Sequence, residues 1–282
     1  PLLELTLLPS DETGYGITCF DANDGSIDIT VAGGNGGYTY EWVVTGTTDV
    51  ISTENNLAGL GPGDYTLTVT DLNGCIDIDN FEITEPDPIV ITEIISDNSG
   101  YGVTCNGYSD ASILTDSGND ANVVGGAGVY TYAWTVTGTS DVISTNENLI
   151  DIAAGEYTLT VTDENGCTEI ENYEITEPDN PIAINAVGSD ENGWSMSCFG
   201  DEDGFINTDP TGGAGEFEFE WTITDATEII STEQNLTAMG PGDYTVTITD
   251  ANGCEISEDF EITEPPLLEL TLLPSDETGY GI

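Results

Sequence analysis

Two kinds of residue in this 282-residue sequence can do chemistry. One is a set of six cysteines: Cys19, Cys75, Cys105, Cys167, Cys198 and Cys254. The other is a body of 54 Asp and Glu with no Lys, Arg or His to oppose them. Thiols can close disulfides; carboxylates can gather hard cations or act in acid–base pairs. The missing bases exclude imidazole relays, amine nucleophiles and guanidinium clamps. A net charge of −54 also makes nucleic acid and anionic membrane surfaces poor partners and favours cations, divalent ones most. No apolar run approaches the ~18 residues of a membrane-spanning helix.

The carboxylates suggest two specific chemistries. Asp21, Asn23 and Asp24 in "DANDG", with Asp71 and Asn73 in "DLNGC", flank cysteines and offer the oxygen ligands that Ca²⁺ takes. If the flanking strands run antiparallel, Asp21 faces Asn73 and Asn23 faces Asp71. Asp201, Asp203, Asp250 and Asn252 form the corresponding set late in the chain, with a thinner one at Asp110, Asp163 and Asn165. The competing reading is turn chemistry alone, because Asn-Gly and Asp-Gly are hairpin signals and the spacing is not that of an EF-hand loop. Diffuse cation binding over the whole acidic surface accompanies either. One Asp-Ser-Gly triplet, Asp116–Gly118, resembles half of an aspartic-protease site, but such chemistry needs two facing loops and the other repeats lack it. No catalytic residue is assigned and no cofactor is required beyond possible Ca²⁺; the chain reads as a non-enzyme.

These residues recur in register. Residues 1–17 and 266–282 are identical, which sets a period of 265 residues. "ITEP" closes three shorter repeats at Ile83–Pro86, Ile175–Pro178 and Ile262–Pro265. The expected domains are therefore 1–86, 87–178 and 179–265, with 266–282 as the first strand of a further tile. The spacing from the central Trp to the second Cys is 33 residues in every repeat (Trp42–Cys75, Trp134–Cys167, Trp221–Cys254). The second repeat is longer by a Gly/Asn-rich loop insertion near 116–128. The identical ends fit either a window on an array of identical tiles or a strand exchanged between subunits. Six cysteines allow fifteen pairings. Two per repeat predict that each repeat closes its own bridge: Cys19–Cys75, Cys105–Cys167 and Cys198–Cys254. That pattern belongs to an oxidising, extracellular setting; the alternative is six free thiols in a reducing one.

Strands must position all of this. "DYTLTVTD" alternates Tyr65, Leu67 and Val69 with Thr66, Thr68 and Thr70, and "EYTLTVTD" and "DYTVTITD" repeat the pattern. "YTYEW" sets Tyr38, Tyr40 and Trp42 on one face. Such period-2 runs, broken by turn signals every 8–12 residues and without a convincing helix, predict an all-β fold of tandem immunoglobulin-like β-sandwiches. A central Trp packed near the bridge suits that architecture. Short proline-bearing linkers predict an extended rod. Trp42, Trp134 and Trp221 read as core rather than as a sugar-stacking platform, and Trp194 as a junction residue. Without Lys, no isopeptide crosslink can form and trypsin has no cleavage site.

The stretches "ITCFDANDGSIDITVAGGNGGYTYEW", "GPGDYTLTVTDLNGC" and "FEITEP" resemble the SprB repeat, and the resemblance covers the chain three times over. The second repeat departs at "CNGYSDASI". The resemblance implies a PKD-like sandwich and a place in giant Bacteroidota surface proteins exported by type IX secretion, which serve gliding, attachment or contact with prey. It implies no catalysis. The sequence is thus expected to be a structural or adhesive segment of a long filament on the bacterial cell surface, disulfide-braced and cation-screened. Other copies of itself are expected as partners, in a tandem array and a lateral bundle, with no direct insertion of this segment in a membrane. The alternative is a module whose repeats themselves hold calcium or glycan.

Overall fold

Strands form where apolar and polar residues alternate, and burial follows that alternation most closely in the long strands Gly63–Thr70, Gly155–Thr162 and Gly242–Thr249. A computed structural model describes residues 2–11, 13–116, 122–190 and 193–271. Among them are β-strands, turns and irregular segments, and no helix. The chain divides into two compact units: Pro1–Ile95 with Ser112–Ile175, and Ser96–Ala111 with Thr176–Ile282. The division cuts through the second sequence repeat rather than falling between repeats.

In the first unit, the first repeat supplies β1 (Glu4–Pro9), β2 (Gly25–Ala32), β3 (Thr39–Val44), β4 (Val50–Ser52), β5 (Leu57–Leu60), β6 (Gly63–Thr70) and β7 (Ile76–Ile83). They pair into one sheet of order β1-β2-β5 and another of order β4-β3-β6-β7, all antiparallel. One buried cluster takes Ile27, Leu57 and Leu60 from the first sheet and Trp42, Tyr65, Leu67, Val69 and Ile83 from the second. Two sheets on one core make a β-sandwich, and the strand order is immunoglobulin-like. Tyr65, Leu67 and Val69 of β6 are buried while the threonines between them are only partly covered.

The same unit holds β8 (Val90–Thr92), β9 (Ile94–Ile95), β10 (Ala111–Leu114), β11 (Asn122–Val124), β12 (Thr131–Val136), β13 (Val142–Ser144), β14 (Leu149–Ile152), β15 (Gly155–Thr162) and β16 (Thr168–Ile175). Here the four-stranded sheet is intact as β13-β12-β15-β16, but the other is split into β14-β10-β9 and β11-β8. The expected insertion falls at this split. Its residues 117–121 lie outside the described residues, as do Ser117 and Gly118 of the Asp-Ser-Gly triplet.

In the second unit, β17 (Ala183–Gly188), β18 (Gly204–Thr211), β19 (Glu218–Ile223), β20 (Ile229–Ser231), β21 (Leu236–Met239), β22 (Gly242–Thr249) and β23 (Glu255–Ile262) restore the pattern of β1–β7. The sheets are β17-β18-β21 and β20-β19-β22-β23, closed over Ile206, Trp221, Leu236, Val246 and Ile248. Residues 266–271 form no strand, and 272–282 lie outside the described residues.

Two devices fix each sandwich. Trp42, Trp134 and Trp221 are fully buried, and each indole N–H donates to a backbone carbonyl twelve residues on: Glu54, Asn146 and Glu233, all at 3.0 Å. They are core residues, as expected. Tyr65, Tyr157 and Tyr244 sit near the starts of β6, β15 and β22. Each hydroxyl donates at 3.0 Å to the carbonyl four residues back, on Gly61, Ala153 and Gly240. This is the tyrosine corner of immunoglobulin-like sandwiches. Burial raises all three phenol pKa values, because the anion is disfavoured away from water.

Candidate functional site: a disulfide-closed junction

The cysteines sit at opposite poles of the first and third repeats. Cys75 immediately precedes β7, and Thr84 immediately follows it. At ~3.3 Å per residue these positions stand about 30 Å apart. The chain just before Cys19 is held at the Thr84 end, where Gly16 N–H donates to Thr84 O at 3.0 Å. Three residues carry the chain at most about 11 Å onward, whereas a disulfide needs Cα atoms within about 7 Å. The third repeat is built the same way: Ser195 N–H donates to Thr263 O at 3.0 Å, beyond the end of β23, while Cys254 precedes its start.

The expected bridges Cys19–Cys75, Cys105–Cys167 and Cys198–Cys254 are therefore not made. Instead Cys19 bonds Cys167 in the first unit, with Cα atoms 5.7 Å apart, and Cys105 bonds Cys254 in the second, at 5.8 Å. Each bridge ties the first cysteine of one repeat to the second cysteine of the next. Cys75 and Cys198 are free and exposed. A Trp packed on an intra-repeat bridge is corrected with them: no cysteine belongs to the cores around Trp42 and Trp221.

Three elements build the junction. The first is the Asn-Gly-Cys turn. The Asp71 carboxylate is buried and accepts N–H bonds from Asn73 (2.8 Å), Cys75 (2.9 Å) and Asn35 (3.0 Å). Asp163 takes Asn165, Cys167 and Ala127 in the same way, and Asp250 takes Asn252, Cys254 and Ala214. The Cys75 N–H most of all, with those of Asn35 and Asn73, holds Asp71 below the usual carboxylate range against the opposing effect of desolvation.

The second element is the loop after the first cysteine. Asp24 accepts from the hydroxyl and the N–H of Thr18, which lower its pKa in that order. Asp110 accepts the same pair from Thr104. In the third repeat Ser197 donates its N–H to Asp203 and its hydroxyl to Asp201, and Ser197 likewise lowers the Asp203 pKa. The Glu of each "ITEP" reaches this loop. Glu85 accepts the Asp21 N–H at 2.7 Å, Glu177 the Gly107 N–H at 2.6 Å and Glu264 the Gly200 N–H at 2.9 Å. Asp21, Gly107 and Gly200 all have positive φ, the conformation that turns that N–H towards the glutamate.

The third element is the double glycine under the linker. A Cβ on Gly125 would stand 1.9 Å from Pro88 O, and one on Gly212 would stand 2.1 Å from Pro181 O. Only glycine lets the entering linker lie this close.

Across the first junction, Asn165 donates its Nδ2 to Thr18 O at 2.9 Å, beside the Cys19–Cys167 bond. Across the second, Asn252 donates to Thr104 O and Asn98 O, both at 3.0 Å, beside Cys105–Cys254. The expected calcium set does not assemble within a repeat, for the same reason that the bridges do not. Asp21, Asn23 and Asp24 lie at the Cys19 pole, and Asp71 and Asn73 at the far one. Asp250 and Asn252 join the loop of Cys105 and Asp110, not that of Asp201 and Asp203. Among the described residues, no three Asp, Glu or Cys are gathered as metal ligands. Asp71, Asp163 and Asp250 instead spend their oxygens on backbone N–H groups.

Residues 17–43 match a family model described as "SprB repeat". No curated protein matches the chain. Among solved structures, the extracellular domains 3–5 of Drosophila OTK overlap at 9% identity and a TM-score of 0.30, covering 87% of this chain and 92% of that one. Domains EC1–4 of PcdhgB3 overlap at 13% identity and 0.31, covering 86% and 71%. The amphioxus IgVJ-C2 molecule overlaps at 17% identity and 0.25, covering 48% and 88%.

Proposed function

We propose that this chain is a structural, adhesion-type segment of a long extracellular filament on a bacterial surface, in which successive sandwiches are stapled to one another. One observation carries this: both bridges tie a repeat to its successor and neither closes within a repeat. A bridge inside a domain stabilises that domain alone, whereas a bridge between successive domains resists their separation. Disulfides persist outside the reducing cytoplasm, and the SprB-repeat match over residues 17–43 supports a place at the cell surface. The 265-residue tile would be repeated along the filament as domains 1–86, 87–178 and 179–265. Export by type IX secretion, and service in gliding, attachment or prey contact, belong to the same proposal. The 54 unopposed acids would hold a layer of divalent cations and let filaments lie side by side only in its presence. The test is imaging of intact cells with an antibody raised against the chain. Filaments labelled with a regular axial spacing support the proposal. Label reached only after lysis, with all six cysteines alkylated as free thiols, refutes it.

A further inference from the structure

We infer that the two free cysteines are the two halves of one more bridge, and that their partner is a second copy of this sequence placed head to tail. Cys198 of one copy bonds Cys75 of the next. This deepens the proposed function and rests on it for the oxidising setting.

Both poles are already built for bonding. The loop around Cys198 is built on the plan of those around Cys19 and Cys105, differing in that the Ser197 hydroxyl goes to Asp201 while its N–H goes to Asp203. It has a hydroxyl residue before the cysteine bonded to aspartate (Ser197, as Thr18 and Thr104), and a positive-φ residue two positions on whose N–H is held by the "ITEP" glutamate. The Cys75 turn matches those of Cys167 and Cys254, with the Asp71 carboxylate taking the same three N–H groups. Asn73 stands where Asn165 and Asn252 donate to Thr18 O and Thr104 O. The matching acceptor is Ser197 O of the preceding copy. Span agrees as well. In copies joined at the 265-residue period, Cys198 and the following Cys75 stand 142 residues apart. The two closed bridges span 148 and 149 residues, and each includes the six residues by which the second repeat is longer.

The step needs an oxidant, and a small-molecule disulfide suffices. The Cys198 thiolate attacks one sulfur of oxidised glutathione and releases one glutathione thiol. The Cys75 thiolate of the next copy then displaces the second glutathione from the mixed disulfide. Two protein thiols are oxidised, one glutathione disulfide is reduced to two thiols, and both protons leave with them.

The test is a chain carrying residues 1–265 twice in succession, refolded in a glutathione redox buffer, alkylated and digested with pepsin without reduction. The expected product is a peptide pair joining Cys198 of the first copy to Cys75 of the second, besides both copies of Cys19–Cys167 and Cys105–Cys254. C198S in the first copy should leave the second copy's Cys75 fully alkylated and those other bridges intact. Separate 282-residue chains under the same oxidant show whether the copies must share a chain: Cys198–Cys75 dimers mean that they need not, and monomers beside a bridged two-copy chain mean that they must. Alkylation of both thiols in the two-copy chain while Cys19–Cys167 closes overturns the inference and leaves the proposed function standing. Joining of like to like, Cys75–Cys75 or Cys198–Cys198, in preference to Cys198–Cys75 also overturns it. Loss of every bridge removes both.

Discussion

Tyr173 of β16 carries a buried hydroxyl that meets no partner. Its ring packs on Trp134 at a centroid distance of 5.7 Å, as Phe260 packs on Trp221 at 6.1 Å. The equivalent positions in the first and third repeats, Phe81 and Phe260, have no hydroxyl. Removing the oxygen should therefore stabilise the protein, since the folded state now bears a desolvated hydroxyl without compensation, a cost of about 1–2 kcal/mol. Tyr173→Phe should raise the urea midpoint of the first unit by about 0.5 M at a slope near 2–3 kcal/mol/M. Tyr157→Phe, in the same unit, deletes a hydroxyl that donates to Ala153 O at 3.0 Å, and should cost about 1 kcal/mol, lowering the midpoint by about 0.4 M at the same slope. Two identical chemical changes thus have opposite signs. Burial first, then Glu93 and Glu171, raise the Tyr173 pKa. Unfolded tyrosine loses its proton near pH ~10 while the native one keeps it, so stability falls as pH rises beyond that point. Tyr173→Phe should remove part of this alkaline loss. A midpoint that drops for Tyr173→Phe, or two variants that move together, refutes the reasoning.

Replacing Cys19 and Cys167 together by Ser opens a ring spanning 148 residues; on the chain-entropy account it should cost about 5 kcal/mol, read as a lower denaturation midpoint that reducing agent no longer shifts for this bridge. Asp163→Asn weakens the bonds from Asn165, Cys167 and Ala127 to one carboxylate; it should cost about 2–3 kcal/mol and lower the fraction of Cys19–Cys167 closed at a fixed glutathione potential. Asp24, Asp71 and Asp203 have folded pKa values below their unfolded ones. Their contribution is present above the unfolded value near ~3.9 and is lost as pH falls through the folded values; urea titrations between pH 5 and pH 2 should show the decline, and a flat profile contradicts it.

Much of the fold is legible because it is local. The alternation in "DYTLTVTD" dictates which of Tyr65 to Thr70 turn inward, and the structure buries those three. The tyrosine corner was equally local: a Tyr two residues after Gly63, Gly155 and Gly242 at the head of each long strand signals it. The "ITEP" glutamates could have been marked as functional because all three repeats keep them. The bridges could not be read this way. Pairing within a repeat and pairing with the next are equally periodic, so the threefold pattern cannot separate them. What decides is a tertiary contact, Gly16 to Thr84, which puts Cys19 at the far end of β7 from Cys75. The calcium sets inherited the same error, since their halves were matched through the assumed bridges.

The two rings overlap, because Cys105 lies inside the span of Cys19–Cys167 and Cys167 inside that of Cys105–Cys254. Every peptide bond from Cys19 to Cys254 is therefore enclosed by at least one closed loop of covalent bonds, and those from Cys105 to Cys167 by two. A protease that makes one cut anywhere in this stretch leaves the molecule in one piece, joined through sulfur around the break. Damage of this kind shows only on reduction, when the fragments part. In the filament proposed above, this topology would turn a single nick from severance into a local defect.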